Sequence, residues 1–370
     1  MTNKEAIDYC IKLAKNANEH EIQPNPFVGA IIIDQNGQIK GEGYHQKLGG
    51  PHAEVFAIEE ALKNNTDFST STLYVSLEPC SHFGKTPPCS DLIIQHGFKK
   101  VVIGSMDPNP KVESINRLKN AGIQVEVEIN PEAIELNKRF FVQHQQQRPY
   151  FILKLASTVD GKIADFEGNS KWVSHSKSRQ FVHQQLRKNV DAILSTYKTI
   201  IVDKAVLNIR NENEPVKETN VLIIDKALTL LDPENASLPI FYERTNSTLY
   251  FITETIPTKA YPKHIEFIKG KFDENGLQFS SIQKRLLELG FYKILTEGGR
   301  KLNASLIAQN TADELYWFIA PKLMNDINSP SMLGLPQHKL LKDAIQLKLM
   351  NTTVLEEDVL LHYQFKQGQD

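Results

Sequence analysis

The sequence predicts an α/β protein built as two successive sheet-and-helix units. Apolar runs of strand length alternate with helix-patterned segments through both halves of the chain. A polar stretch, His144-Gln145-Gln146-Gln147-Arg148-Pro149, interrupts that alternation near the middle, and 370 residues are enough for two domains. The expected units are residues 1–146 and 147–370.

The first unit opens with a helix whose apolar face is Ile7, Cys10, Ile11 and Ala14. An apolar run over 27–33 meets the turn Asp34-Gln35-Asn36-Gly37, which predicts a hairpin. Pro51 suits the first turn of a helix, where its missing N–H costs little. Ala53, Val55, Phe56, Ala57, Ile58, Ala61 and Leu62 then carry that helix into the core. A strand over 73–77 follows, then a helix from Cys89 through Leu92, Ile93 and Ile94 that ends at Gly97. A strand over 100–104, a helix over 115–121 and a strand over 123–127 continue the alternation. One further helix runs through Ala133, Ile134, Leu136 and Phe140.

The second unit begins with the apolar run 150–156. Further strands are expected at 192–194, 221–224, 249–252 and 292–295, helices at 283–289 and 302–308, and a β-rich C-terminal stretch at 345–365. Residues 208–219 are polar and charged, and read as a solvated loop. No internal repeat is visible.

Two segments of the first unit carry chemistry. Gly49-Gly50-Pro51-His52-Ala53-Glu54, followed by Glu78-Pro79-Cys80 and then Cys89, supplies one imidazole, one carboxylate and two thiols. A zinc-dependent hydrolytic deaminase uses those groups in that order. Three protein ligands leave a fourth position for a water that the metal acidifies, and a carboxylate outside the ligand set moves protons to the leaving amine. His52, Cys80 and Cys89 are the candidate ligands and Glu54 the candidate proton carrier. The bland reading, structural thiols beside an ordinary histidine, requires two of the chain's three cysteines to fall in this pattern by chance. Cys10, on its apolar helix face, reads as core. His52 and Glu54 are two apart, and on a regular helix such residues point roughly 200° away from each other. Both therefore reach one site only at the extreme start of the helix.

The end of the second unit carries a second signal. The strand at Ile294-Leu295 runs into Thr296-Glu297-Gly298-Gly299-Arg300-Lys301-Leu302 and a helix. Glycines at a strand-to-helix turn let backbone N–H groups approach a phosphate, which a helix start and Arg300 favour. A tight structural turn uses the same glycines. No Gly-x-Gly-x-x-Gly fingerprint follows a first strand, so an ordinary Rossmann site is not supported.

Composition limits the function classes. A net charge of −2 provides no basic field for nucleic acid. The N-terminus lacks a signal-peptide arrangement, no segment is apolar enough to span a bilayer, and three cysteines suit a reducing compartment. A cytoplasmic protein with no nucleic-acid or membrane partner is expected.

Together these residues resemble the bifunctional deaminase–reductase of riboflavin biosynthesis over nearly the whole chain. In the first half the likeness rests on Pro24-Asn25-Pro26-Phe27-Val28-Gly29, the Gly-Gly-Pro-His-Ala-Glu run, Asp107-Pro108-Asn109-Pro110, and the long spacer between Cys80 and Cys89. Cytidine and tRNA deaminases have Pro-Cys-x-x-Cys instead. In the second half it rests on residues 153–162, Ser170-Lys171-Trp172, Glu297-Gly298-Gly299, Asp313-Glu314-Leu315 and Ala320-Pro321-Lys322-Leu323.

The resemblance implies a cytidine-deaminase-like α/β/α domain followed by a dihydrofolate-reductase-like α/β domain. It implies Zn2+ and NADPH as cofactors, a small pyrimidine nucleotide as substrate, and a homo-oligomer, dimer or tetramer. The first domain would deaminate a diaminopyrimidinone ribosylamino phosphate and the second would reduce its ribosyl group to ribityl. By position in its motif, Asn25 corresponds to a substrate contact in the first domain, and His82 and Lys85, inside the cysteine spacer, are candidates for the substrate's phosphate or ring. By motif position, Ser170, Arg187, Leu207, Arg210 and Glu297 correspond to substrate contacts in the second domain, the two arginines suiting a phosphate. Lys154 on the first strand is a candidate for the ribose oxygen released on ring opening, the alternative being a strand-end surface lysine. Ala156, Trp172, Thr199, Asp203, Gly299, Arg300, Lys301 and Leu302 correspond to cofactor contacts. The family usually continues its Asp with Asp-Pro, whereas Asp203 is followed here by Lys204-Ala205. That departure keeps open a deaminase whose second domain is a non-catalytic binding or oligomerisation scaffold. A nucleic-acid base deaminase with an accessory domain is a third reading.

Overall fold

Strand β1 (Gly29–Ile33) is buried at every position, which requires cover on both faces of its sheet. The computed structural model describes residues 1–82, 87–170, 173–211, 214–244, 246–334 and 340–366. The chain forms two compact units, Met1–Gln147 and Arg148–Asp370.

In the first unit β1 is followed by β2 (Ile39–Tyr44), β3 (Thr72–Val75), β4 (Lys100–Ile103) and β5 (Gln124–Val127), in the sheet order β2-β1-β3-β4-β5. β1 is antiparallel to β2 and β3, while β3, β4 and β5 are parallel. Alternate side chains of β1 enter different cores. Ala30 and Ile32 pack with Ala53, Ala57, Ile58 and Ala61 of the helix Ala53–Lys63. Ile31 and Ile33 pack with Ala6, Ile7, Cys10 and Ile11 of the helix Asn3–Ala14. The period of two along a strand thus produces a three-layer α/β/α unit.

The helix Ala53–Lys63 touches β2 backbone to backbone. A Cβ at Gly41 would lie 2.0 Å from the Ala57 carbonyl oxygen, and one at Gly43 would lie 2.6 Å from that of Ala53. Only glycine permits that approach. Three local expectations change. Pro51 precedes the helix, whose N-cap is His52. Leu62 is 49% exposed on the helix's outer face. The helix expected through Phe140 is broken at Asn137 into Pro131–Leu136 and Lys138–Gln146. The break has a physical cause, because Asn137 pairs with the Phe27 backbone. Its Oδ1 accepts from Phe27 N at 2.8 Å and its Nδ2 donates to Phe27 O at 2.9 Å.

The second unit carries β6 (Tyr150–Thr158), β7 (Ala192–Thr196), β8 (Ile209–Asn211), β9 (Glu214–Lys217), β10 (Asn220–Ile224), β11 (Leu249–Thr253), β12 (Ile265–Lys269), β13 (Lys271–Asp273), β14 (Gly276–Gln278), β15 (Lys293–Thr296), β16 (Glu314–Ala320), β17 (Leu347–Leu355) and β18 (Asp358–Phe365). Among the described residues its main sheet has nine strands in the order β12-β11-β10-β7-β15-β6-β16-β18-β17. The strands from β12 to β16 are parallel, and β18 and β17 close one edge antiparallel. The chain works outward from β7 to β12, then returns with β15 between β7 and β6. Loops leaving the C-terminal ends of these neighbouring strands diverge, which opens a crevice there. A core of Phe151, Leu153, Leu194, Leu222 and Ile294 packs against Leu286, Leu302 and Leu306 of covering helices. Arg148 and Asp313 form a buried ion pair, with Nη1–Oδ2 at 2.7 Å and Nη2–Oδ1 at 2.8 Å.

Residues 208–219, read from sequence as a solvated loop, contain the β8–β9 hairpin, and Asn208 is buried. Side chains from other elements hold this polar segment, a tertiary effect that periodicity does not report. β12, β16 and the β13–β14 hairpin were also not anticipated. Among the described residues no helix is long and apolar enough to cross a membrane.

Gly41→Ala is expected to force the helix Ala53–Lys63 off β2. Overpacking against backbone costs about 3 kcal/mol, so differential scanning calorimetry should show the first unit melting roughly 6 °C or more lower.

Candidate functional sites in the two units

The start of the helix Ala53–Lys63 sets the first site. His52 is its N-cap, with extended backbone at φ −78° and ψ 169°. Glu54 lies two residues on, inside the first turn and buried. The extended cap removes the angular conflict of a regular helix, so both side chains face the same place. Cys80 follows β3 and Cys89 begins the helix Cys89–His96. His52 Nδ1 lies 3.2 Å from Cys89 Sγ and 3.6 Å from Cys80 Sγ. Cys80 is tied to the second helix start, accepting from Cys89 N at Sγ over 3.2 Å and from Ser90 N at its carbonyl over 3.1 Å.

One nitrogen and two sulfurs lie within 4.8 Å of one another. Zinc bound at ~2.1 Å to nitrogen and ~2.3 Å to sulfur sets tetrahedral donors roughly 3.5–4 Å apart. The donor set therefore fits that ion, with a fourth position left over. Hydrogen bonding from Cys89 and from His52 pulls the Cys80 thiol down to about 4 despite its burial. The bond to Cys80, together with burial, raises Cys89. Bonding to Cys80 raises His52, and burial raises Glu54, which contacts the Cys89 thiol. Cys10 is core: it is buried, donates to Tyr74 O, and burial raises its pKa.

Three residues that sequence reasoning missed frame this site. His45, at the end of β2, is buried, and burial lowers its pKa. Its Nδ1 lies 3.1 Å from Pro51 O, which only accepts, so Nδ1 carries the proton and Nε2 accepts from Asn25 Nδ2 at 3.0 Å. Its ring meets that of His52 edge-on, with centroids 5.2 Å apart. Arg139 is buried and holds the Pro24 and Asn25 carbonyls at 3.4 and 3.1 Å. Asn137 holds Phe27, as described above. No motif signals these three. They are found only because the fold brings them to the Asn25 loop. His82 is exposed, and Lys85 lies outside the described residues.

The second site is a cavity of about 550 Å³ at the C-terminal ends of β6, β7 and β15. Ten residues assigned from the motifs line it: Lys154, Ala156, Ser170, Arg187, Thr199, Asp203, Leu207, Arg210, Glu297 and Gly299. Trp172 lies outside the described residues. Arg300 and Lys301 are exposed, and Arg300 Nε donates to Gly334 O at 3.2 Å. The Leu302 side chain belongs to the hydrophobic core, so a cofactor could meet only its backbone.

Part of the charge inside the cavity is paired. Arg187 grips Glu297 with both ends of its fork, Nη2–Oε2 being 2.9 Å, and its Nη1 donates to Asn208 O at 2.6 Å. Burial pushes the Glu297 carboxyl up, but Arg187 outweighs it and holds it at about 2. Burial lowers the Lys154 pKa, while Glu297 and Asp203 support its charged form. Ser170 Oγ donates to Asp203 at 2.7 Å. Lys204 is exposed and left-handed at φ 49°, ending the helix Tyr197–Asp203, so it leaves the cavity wall to Asp203 and Ala205.

His183 and Asn303 also line the cavity and were not anticipated. His183 sits on a π-helical turn, Val182–Leu186, a bulge often found where a side chain must be re-aimed. Burial, and next Arg187, pull its pKa down to about 4. The helix Arg300–Ala308 starts at the cavity with Gly299 as N-cap and no side-chain cap. Asn303 is buried with Oδ1 unpartnered. Uncapped amides suit phosphate and an orphan acceptor suits a hydroxyl or amide donor, so the wall fits a phosphorylated ligand such as a dinucleotide.

Comparison with known proteins agrees with this division. Residues 1–105 match the cytidine and deoxycytidylate deaminase zinc-binding region, and residues 149–361 match the RibD C-terminal domain. The chain is 36% identical over 375 residues to riboflavin biosynthesis protein RibD of Aquifex aeolicus, covering 98% of each chain. It is 34% identical over 373 residues to RibD of Escherichia coli, covering 95% of this chain and 96% of that protein. The crystal structure of a diaminohydroxyphosphoribosylaminopyrimidine deaminase/5-amino-6-(5-phosphoribosylamino)uracil reductase from Thermotoga maritima superposes with a TM-score of 0.77. Its identity is 33%, over 98% of this chain and 99% of that one.

Cys80→Ser and Cys89→Ser proteins are expected to retain less than about a tenth of wild-type zinc by atomic emission analysis, because each removes one of three ligands. Glu54→Gln should keep the metal, since it changes no ligand.

Proposed function

This chain belongs to the RibD family of riboflavin biosynthesis proteins, and we propose that it both deaminates and reduces the same pyrimidine nucleotide. The substrate is 2,5-diamino-6-ribosylamino-4(3H)-pyrimidinone 5′-phosphate. In this reading residues 1–146 form the deaminase and 147–370 the NADPH-dependent reductase. The observation that supports the first step best is the His52, Cys80 and Cys89 cluster with Glu54 beside it. The ten-residue agreement between motif and cavity wall supports the second.

For deamination, His52, Cys80 and Cys89 would hold zinc, which when bound makes water nucleophilic at neutral pH. Glu54 takes a proton from the attacking water and delivers it to the departing amine. Water adds at the amine-bearing ring carbon, the carbon–nitrogen bond breaks, and ammonia leaves. His45 and Arg139 act on Asn25, fixing its side chain and backbone so that it meets the pyrimidine ring in one orientation.

For reduction, the helix start at Gly299 with Ala156, Thr199 and Asp203 would hold the dinucleotide, which when bound supplies a hydride. Lys154 would bond the sugar oxygen set free when the ribose ring opens. Of the two arginines the motifs supply, Arg210 is the one to meet the substrate phosphate, because Arg187 is already paired with Glu297. The scaffold-only reading gains nothing from Lys204, which is exposed and outside the cavity wall. A cytoplasmic homo-oligomer completes the proposal, and analytical ultracentrifugation would test its assembly state.

Glu54→Gln is expected to slow ammonia release by about a thousandfold or more, the upper range for a lost acid–base group plus its electrostatic role. NADPH oxidation with the already deaminated substrate should persist in that variant. Wild-type protein that releases ammonia but leaves the 340 nm absorbance of NADPH unchanged would establish the scaffold reading instead.

A further inference from the structure

Behind the cavity wall stands a buried arginine that no motif includes. Arg244, 1% exposed, follows the short helix Pro239–Tyr242. Its Nη1 donates to the carbonyls of Val206 and Leu207, each at 3.0 Å. Its Nη2 donates to Thr219 O and, at 2.7 Å, to Ser247 Oγ. The Ser247 hydroxyl passes the contact on to Glu218 at 2.9 Å. Burial draws the Arg244 pKa down to about 10, with Glu218 opposing. A guanidinium out of water needs hydrogen bonds in compensation, and here two of the four go to adjacent carbonyls of one segment of main chain, while Nε has no partner among the described residues.

That segment turns into the cavity. Leu207 is left-handed at φ 56°, a conformation that disfavours a branched side chain and needs outside support. The left-handed turn sends the Leu207 carbonyl to Arg244 and the next one, of Asn208, to Arg187. Beyond it, Arg210 Nε donates to Asn208 Oδ1 at 2.8 Å, and Arg210 N donates to His183 Nδ1 at 3.0 Å. Leu207 and Arg210 both line the cavity.

We propose that Arg244 is a positioning residue for the reduction: by holding the Val206 and Leu207 carbonyls it keeps Leu207 left-handed and so presents Leu207 and Arg210 to the sugar phosphate. This rests on the reading of the second unit as a reductase. Arg244 acts on the loop and not on the dinucleotide, whose proposed contacts come from β6, the helix Tyr197–Asp203 and the helix start at Gly299. Its loss should therefore separate the two ligands.

The test uses full-length Arg244→Met and Arg244→Lys. Arg244→Met should raise the KM for the deaminated substrate about tenfold or more while the KM for NADPH stays within about twofold. Arg244→Lys should recover part of the loss, because an ammonium can still bond neighbouring carbonyls, and it carries the test if Arg244→Met does not fold. Ammonia release by the first unit reports intact protein. Hydrogen exchange at amides 207–211 should rise about tenfold in Arg244→Met without a matching rise across the sheet. Equal losses toward both ligands, or a lowered melting temperature with unchanged KM, would reduce Arg244 to a structural residue and overturn the proposal. If the wild type oxidises no NADPH, the reductase reading fails on its own. The exchange result and binding of ribose 5-phosphate, expected to weaken in Arg244→Met, then still decide the role of Arg244.

Discussion

The first site depends on where one helix begins. Because β2 carries glycine at 41 and 43, the helix Ala53–Lys63 lies against it backbone to backbone, and that contact fixes the height of the helix start. His52 is then the last extended residue and Glu54 falls inside the first turn, so a ligand and a non-ligand carboxylate face one point. The same strand ends immediately before His45, which reaches Pro51 on one side and Asn25 on the other. β2 thus seats the helix and supplies the bridge to the proposed substrate loop.

Both units solve the same physical problem with a buried arginine. Loop carbonyls that lie outside a sheet ladder need other donors. A guanidinium offers five N–H groups in a rigid fork and can satisfy several at once. Arg139 does this for Pro24 and Asn25, and Arg244 for Val206 and Leu207. Neither arginine belongs to a motif, and each is separated from its loop by a long stretch of sequence.

The reductase cavity shows why motif membership does not fix a residue's work. Arg187 and Glu297 both correspond to family substrate contacts, yet here they bind each other, and Arg187 also takes the Asn208 carbonyl. In an enclosed space opposite charges within reach pair, since leaving either alone carries a large desolvation cost. Within the pair Glu297 supports the charged form of Lys154, as Asp203 also does, while Arg187 opposes it.

The sequence alone determined the α/β class, nearly all the main strands and the metal-ligand set. Those are written locally, in apolar periodicity and in a few side chains whose spacing serves one chemistry. Through the family resemblance it also led to ten of the residues that line the cavity. Tertiary structure decided the rest. It turned the polar stretch 208–219 into a hairpin, broke a helix at Asn137, made Pro51 a preceding residue instead of a helical one, and moved Leu302 into the core. It alone brought His45, Arg139, His183 and Arg244 to their places. Periodicity reports which face of an element is buried, but a hydrogen bond between residues far apart in the chain leaves no local trace. Loop conformation and cavity electrostatics are made of such bonds, and only the folded chain shows them.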